Sequence, residues 1–207
     1  MIRSLPRVVL LAVLCLLSGC DAQRLEPLGP GDRILAFGDS LTSGVGVESR
    51  YSYPSVLAEL TGLEVINAGV SGETTAEGLA RLGRELDRAA PALLILIEGG
   101  NDILRNSSTS ALKENLRAMI ELARDRQVPV VLIGVPQKKL FSNAAPLYGE
   151  LAEEYELVFD GALLGGLLRC PGLKSDAVHF NRDGYRAMAE AIHELLLDNG
   201  ALTYTGG

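Results

Sequence analysis

The sequence predicts an α/β protein with helices on both faces of a parallel sheet, because short apolar segments alternate with amphipathic helical ones along the chain. The apolar segments are rich in Val, Ile and Leu and are flanked by turn residues, which is typical of strands buried on both faces. No internal repeat or low-complexity tract favours another architecture. The predicted strands cover residues 33–37, 64–68, 93–98, 130–135 and 157–159.

Helical periodicity predicts five helices between and after these strands. Pro54 stands in the first turn of the first helix, where a missing N–H costs little. The Leu-rich segment 163–168 carries two glycines, so we predict a loop there that packs or lines a pocket. The predicted helices cover 53–61, 75–88, 110–127, 145–155 and 182–197.

The first 19 residues are predicted to be an export signal. Arg3 and Arg7 accompany an apolar stretch over 8–17, which is shorter than the roughly 17 to 25 residues that a membrane-spanning helix needs. Leu17-Ser18-Gly19-Cys20 resembles the lipobox of bacterial lipoproteins, which implies a lipid on Cys20; a plain cleaved signal is the alternative. We therefore expect an exported protein, lipid-anchored on the periplasmic side of a bacterial envelope membrane.

These patterns divide the chain into four parts. We expect a signal over 1–19, a lipidated N-terminus and tether over 20–32, one domain over 33–200 and a tail over 201–207. Without the signal the chain keeps 17 basic and 26 acidic residues, and this net charge of −9 argues against nucleic acid as a partner.

Cysteine and histidine usage argues against disulfides and metal sites. Cys170 is the one thiol left after signal removal and lipidation, so no intramolecular disulfide is expected, and we expect its side chain to be buried. No metal-ligand cluster stands out, so we expect neither a metal nor a cofactor. We expect a monomer.

Ser40 follows the first predicted strand directly, in Gly38-Asp39-Ser40-Leu41. Open α/β sheets place reactive groups at the carboxyl ends of their strands. A serine hydroxyl becomes a nucleophile only when a base takes its proton and fixed donors receive the oxyanion. Ser40 is therefore a candidate nucleophile if the chain supplies both.

Three further blocks offer these groups. Asn101 follows the third predicted strand and Gly72 follows the second, so the Asn101 amide and the N–H groups of Gly72 and Ser40 are candidate oxyanion donors. Asp176 and His179 precede the last helix at a spacing of three. Asp176 would orient the imidazole through Nδ1, which leaves Nε2 to take the Ser40 proton.

Two neighbouring carboxylates are expected to be structural. Asp39 and Asp102 each lie in a loop beside a candidate catalytic residue, and we expect both to accept hydrogen bonds from loop backbone.

Taken in order, these blocks resemble the SGNH or GDSL hydrolase family, and most closely its small periplasmic branch of thioesterases, arylesterases and lysophospholipases. The resemblance runs from about residue 34 to 197. It implies a three-layer α/β/α sandwich with a five-stranded parallel sheet in the order 2-1-3-4-5. It also implies that Ser40 is the nucleophile, Gly72 and Asn101 are oxyanion donors, and Asp176 and His179 are the acid and base. Phe180 stands where many relatives have proline, which we expect to alter only the rim of that loop.

The function implied is hydrolysis of aryl esters, lysophospholipids or acyl thioesters through an acyl-enzyme on Ser40. Two alternatives remain: a carbohydrate or cell-wall O-deacetylase of the same fold, and a binding lipoprotein without turnover. The apolar segment 162–168 favours an acyl chain over a sugar if it lines the pocket.

Overall fold

The computed structural model describes residues 25–138 and 142–203. All five strands pair in parallel in one sheet of order β2-β1-β3-β4-β5, which confirms the predicted fold and strand order. Cys20 lies outside the described residues. The strands are β1 Arg33–Gly38, β2 Glu64–Gly69, β3 Leu93–Ile97, β4 Val130–Ile133 and β5 Val158–Asp160.

The central strands are apolar on both faces because both faces are covered. Every residue of β3 is at most 1% exposed, and so are the four apolar residues of β1. In the register of the sheet, Gly38 at the end of β1 pairs with Gly69 of β2 and Ile97 of β3. The loops that follow these three strands therefore begin side by side at one edge, where the chain order of the strands reverses.

Helices form the two outer layers. The helices that follow β2, β3 and β4 pack on one face, and those that follow β1 and β5 pack on the other, as right-handed crossovers require for this strand order. Accordingly α3 packs against α5, and α2 packs against α8. The helices are α1 Ser40–Ser43, α2 Tyr53–Thr61, α3 Thr75–Ala89, α4 Gly100–Leu104, α5 Thr109–Arg124, α6 Pro146–Glu154, α7 Leu163–Leu168 and α8 Arg182–Asp198.

The structure corrects two predicted elements. The 163–168 segment is the short helix α7 rather than a loop, because the Asp160 carboxylate accepts the N–H groups of Ala162 and Leu163 and so begins the turn. The helix predicted over 110–127 ends at Arg124. Gln127 has a φ of 58°, and the chain turns there into β4.

The segment ahead of β1 lies against the end of α8. The N–H of Leu25 donates to Asn199 O and the N–H of Leu28 to Ala201 O, both at 2.8 Å. Both leucine side chains are half-buried against the core. The chain is thus held to the fold from Leu25 onward. No helix in the described ranges has the length and apolarity to cross a bilayer.

Candidate active site

Ser40 is the first residue of α1, the tight turn that follows β1. Asp39 caps this turn, its Oδ1 accepting the N–H of Leu41 at 3.1 Å. Gly38 leaves no room for a side chain, since a Cβ there would lie 2.1 Å from the carbonyl oxygen of Ile97. The absence of that Cβ lets β1 and β3 approach closely at the point where the Ser40 hydroxyl emerges.

Two short hydrogen bonds join the other predicted catalytic side chains to Ser40. His179 Nε2 lies 3.0 Å from Ser40 Oγ, and His179 Nδ1 lies 2.7 Å from Asp176 Oδ2. The second Asp176 oxygen accepts the N–H groups of Val178 and His179, both at 2.8 Å. One carboxylate therefore fixes both the turn and the ring that the turn carries.

The same contacts keep Asp176 ionised. The N–H of Val178, and then the ring and N–H of His179, lower the pKa of Asp176 to about 2. An ionised carboxylate at Nδ1 favours the tautomer with its proton on that nitrogen, which leaves Nε2 as a proton acceptor facing Ser40.

Asn101 and Gly72 approach the site from two other loops. Asn101 Nδ2 donates to Glu73 O at 2.9 Å and to Asp39 Oδ2 at 3.4 Å. The bond to Asp39 is the longer of the two, and it is the one that a ligand oxygen could replace. Gly72 has a φ of 80°. Within residues 25–138 and 142–203 its N–H has no protein acceptor, and its carbonyl accepts from Arg105 at 2.9 Å.

One cavity of about 520 Å³ gathers these residues. Ser40, Gly72, Asn101 and His179 line it together, so the structure brings the predicted nucleophile, base and oxyanion donors to one space. The remaining lining includes Ile103, Leu104, Val135, Leu168 and Val178, with the exposed cations Lys138 and Arg169.

The predicted apolar segment contributes to this cavity in part. Gly165 and Leu168 of α7 line it, whereas Leu163 and Leu164 face the core. The helical turn separates these side chains onto two sides, which a loop prediction did not capture.

A buried ion pair that the sequence did not reveal supports the Asn101 loop. Arg81 of α3 holds both oxygens of the Glu73 carboxylate, and its Nη2 also donates to Ala68 O at 2.8 Å, at the end of β2. The Arg81 and Glu73 side chains are only 14% and 4% exposed. Since Glu73 O accepts from Asn101, this pair anchors the backbone that positions the Asn101 amide.

The two carboxylates expected to be structural do bond backbone. Asp39 accepts from Leu41, and Asp102 accepts from the N–H and hydroxyl of Thr75 at 2.9 and 2.8 Å. Burial raises the pKa of Asp39 to about 6, although the N–H of Leu41 opposes this. Burial, then the Asp39 charge, raises the pKa of Glu98 well above the ordinary value of a glutamate.

Cys170 and Phe180 lie on either side of the Asp176 turn and differ in burial. Cys170 is exposed rather than buried, because it follows the end of α7 at the surface. Phe180 is fully buried and meets the Tyr185 ring edge-on at a centroid distance of 5.6 Å. The Tyr185 hydroxyl donates to Val45 O at 2.9 Å, so Phe180 and Tyr185 link the His179 turn to the segment after Ser40.

No group of His, Cys, Asp and Glu side chains suited to a metal ion occurs in the part of the chain that the structure describes. Hydrogen bonds to other protein groups hold the side chains of Ser40, Asn101 and His179 in place.

This fold and site define a serine hydrolase class, and the chain matches it in sequence. Residues 36–187 match the model of the GDSL-like Lipase/Acylhydrolase family, and the chain belongs to that family. It is an enzyme that hydrolyses ester bonds.

Individual relatives are similar over most of the chain. Esterase TesA of Pseudomonas aeruginosa is 31% identical over 179 residues, 79% of this chain and 88% of the relative. Thioesterase 1/protease 1/lysophospholipase L1 of Escherichia coli K12 is 27% identical over 77% of this chain and 80% of its own length. The crystal structure of AlinE4, an SGNH-hydrolase family esterase, superposes with a TM-score of 0.64 at 33% identity, covering 83% and 97% of the two chains. Uncharacterized lipoprotein YqeF of Bacillus subtilis is 28% identical over 62% of this chain and 56% of its own.

Proposed function

We propose that the enzyme cleaves acyl esters and thioesters through a covalent acyl-enzyme on Ser40. The observation that carries this proposal is the hydrogen-bonded series from Asp176 through His179 to Ser40, with distances of 2.7 and 3.0 Å. These lengths meet the requirement that nucleophile, base and orienting group lie within hydrogen-bond reach.

In the first step Ser40 Oγ bonds to the acyl carbon while His179 Nε2 takes the hydroxyl proton. The carbonyl electron pair moves to its oxygen, where the N–H groups of Ser40 and Gly72 and the Asn101 amide would stabilise the charge. When the pair returns, the bond to the alcohol or thiol breaks and His179 protonates that leaving group. Water then repeats the sequence in place of Ser40, which releases the acid and restores the hydroxyl.

The cavity lining supports an acyl chain as the group bound beside Ser40. Ile103, Leu104, Val135 and Leu168 supply apolar surface next to the polar groups. The Escherichia coli relative is named as both a thioesterase and a lysophospholipase, which supports testing both kinds of substrate.

The nucleophile is tested with Ser40→Ala and a fluorophosphonate probe. We expect kcat for p-nitrophenyl butanoate to fall by on the order of 10⁴ or more, and the probe mass to appear on Ser40 in the unsubstituted enzyme. Ser71→Ala is the matched control, since Ser71 also lines the cavity but has no imidazole contact among the described residues. Labelling that survives Ser40→Ala would assign the nucleophile elsewhere.

The acyl group is tested by rates on p-nitrophenyl esters of increasing chain length, an acyl-coenzyme A and acetylated sugars. We expect kcat/KM to rise from two-carbon to medium-chain esters, because each further CH₂ is buried against the apolar lining of the cavity. The gain in binding free energy is about 0.8 kcal/mol per buried CH₂ at most. A preference for acetylated sugars would favour the O-deacetylase alternative. A lack of turnover on every substrate would favour a binding protein.

We further propose that the protein is exported and anchored by a lipid on Cys20. The pattern over 1–20 supports this, as does the similarity to a protein named as a lipoprotein. Cys20→Ser should move the protein from the detergent to the aqueous phase of a Triton X-114 partition. Cys15→Ser should leave the partition unchanged, because residue 15 is removed with the signal. An unchanged Cys20→Ser partition would contradict lipidation.

A further inference from the structure

We infer that the lipid anchor holds the opening of the active-site cavity away from the membrane that carries the enzyme, so that its substrates are esters arriving from the aqueous side. This inference rests on the proposed lipidation of Cys20. The chain enters the fold at one end of the molecule, the cavity opens at the other, and Leu25 follows Cys20 by only five residues.

The chain enters the fold at the amino-terminal edge of the sheet. Leu25 and Leu28 donate to Asn199 O and Ala201 O, just past the end of α8. The Gly29 N–H then donates to Asp32 Oδ2 at 2.7 Å and closes the turn that leads into β1. These bonds fix the end of the chain nearest the anchor to one end of the molecule.

The cavity opens at the other end. Ser40, Gly72 and Asn101 follow the carboxyl ends of β1, β2 and β3, and the exposed Lys138 lies beyond β4. α8 begins three residues after His179 and runs back towards Asn199. Its 17 residues span about 25 Å at 1.5 Å each, so the catalytic groups lie about that far from the entry point.

The chain between Cys20 and Leu25 is too short to reverse this arrangement. Five residues span at most about 18 Å in any conformation. If the cavity opening lay on the membrane surface, Leu25 would stand about 25 Å or more above it, counting only the length of α8. Cys20 could not then reach the lipid, so the opening does not lie against the bilayer.

The orientation is measured by energy transfer from a fluorophore on the protein to acceptor lipids at the vesicle surface. Cys170 is exposed and adjoins Arg169 at the cavity, and it is the remaining thiol once Cys20 is lipidated, so the natural lipoprotein can be labelled there. Cys170→Ser with Thr203→Cys moves the label to an exposed position beyond α8. We expect transfer from position 203 to be several-fold greater than from position 170. Greater transfer from position 170 than from position 203 would place the opening against the bilayer and overturn the inference.

A second measurement uses a fluorogenic butanoyl ester attached to the headgroup of a dioleoyl phospholipid in the same vesicles. A flexible insertion of 20 Gly and Ser residues between Ala22 and Gln23 adds roughly 25 Å of reach. We expect it to raise hydrolysis of the tethered ester at least tenfold while leaving the free soluble ester unaffected. If the natural chain already cleaves the tethered ester as well as the extended one, the orientation is wrong.

Vesicle flotation and hydrolysis of the soluble ester test lipidation and the proposed chemistry separately from the orientation. Protein that does not float with the vesicles would overturn lipidation, and the inference with it. Protein that floats but does not cleave the soluble ester would contradict the proposed chemistry alone, because the fluorescence measurement would still determine the orientation.

Discussion

The Asp176 carboxylate serves two structural purposes with separate oxygens. Oδ1 accepts the two backbone N–H groups that close the turn, and Oδ2 accepts from the ring of His179. The backbone bonds do not require a charge, but the ring contact gains from one. An amide in this position can therefore preserve the turn while losing the orientation of the proton acceptor.

We accordingly expect Asp176→Asn to lower kcat by on the order of 10² to 10⁴, and His179→Ala to lower it further. The amide oxygen can keep the backbone bonds, whereas its nitrogen favours the tautomer that places the proton on Nε2. Steady-state kinetics on p-nitrophenyl butanoate check both variants. Asp183→Asn, which removes an exposed carboxylate in the first turn of α8, is the control. A larger loss for Asp176→Asn than for His179→Ala would contradict these roles.

Asn101→Ala should lower kcat by roughly 10² to 10³ with little change in KM, because an oxyanion donor acts mainly in the transition state. Asn199→Ala also removes one amide hydrogen bond, to Leu195 O, but at the far end of the molecule, and should leave both constants unchanged. An effect of Asn101→Ala on KM alone would make this residue a contact for the bound substrate instead.

Asp39 gives the molecule a pH-dependent stability term. Burial raises the pKa of Asp39 to about 6 in the folded protein, compared with about 3.9 in the unfolded chain. Ionisation of Asp39 therefore lowers the free energy of unfolding as the pH rises from about 4 to about 6, and this loss remains above pH 6. Asp39→Asn removes this cost, while its amide oxygen can still cap Leu41. Relative to the unsubstituted enzyme, its free energy of unfolding should rise by up to about 3 kcal/mol from pH 4 to pH 7. Urea titrations at both pH values measure the difference, and a pH-independent difference would contradict the assignment.

At the scale of elements, apolar runs located each strand to within two residues of its ends. This was possible because a strand covered on both faces needs apolar side chains throughout, as in β3. The ends were less predictable. The helix α5 stops at Arg124 because Gln127 adopts a left-handed backbone conformation, and a glutamine gives no local signal for it.

The candidate catalytic side chains could be selected from the sequence because each adjoins a recognisable strand or helix, whereas the residues that support them could not. Arg81 pairs with Glu73 eight residues away, a spacing that no single helix or turn produces. The contact depends on how α3 lies over the ends of β1 and β2. A sequence pattern carries no information about that placement.

The Arg81 geometry predicts a separable effect on catalysis. Arg81→Lys keeps a charge for Glu73 but cannot also reach Ala68 O, so we expect kcat to fall about tenfold with KM and the folded state retained. Arg81→Met leaves the buried Glu73 unpaired and should lower the free energy of unfolding by about 3 to 5 kcal/mol. Kinetics and urea titration of both variants provide the check. If Arg81→Lys loses stability but no kcat, the residue has no positioning role.

The resemblance to a family predicted the order of the strands in the sheet, and the structure confirms that order. The attachment of residues 25–32 could not be foreseen, because this segment has no periodicity and its partners lie at the other end of the sequence.

This attachment should be measurable as stability. A chain that starts at Asp32 loses the half-buried side chains of Leu25 and Leu28 and two backbone bonds. We expect its free energy of unfolding to fall by about 2 to 3 kcal/mol relative to a chain that starts at Leu25. Urea titration compares the two, and kcat should be equal because the cavity lies at the opposite edge. Equal stability would mean that the segment is not part of the folded unit.

The hydrogen bond between His179 and Ser40 joins positions 139 residues apart in the chain. The candidate nucleophile lies in the first βα unit and the candidate base lies after the last strand, so we expect either fragment alone to be inactive. If the chain were divided between β4 and α6, Ser40, Gly72 and Asn101 would lie in one fragment and Asp176 and His179 in the other. Fusing the fragments to two interacting proteins would make ester hydrolysis depend on the association of those proteins. Separation of the reactive groups along the chain thus makes this fold a candidate for a split reporter enzyme.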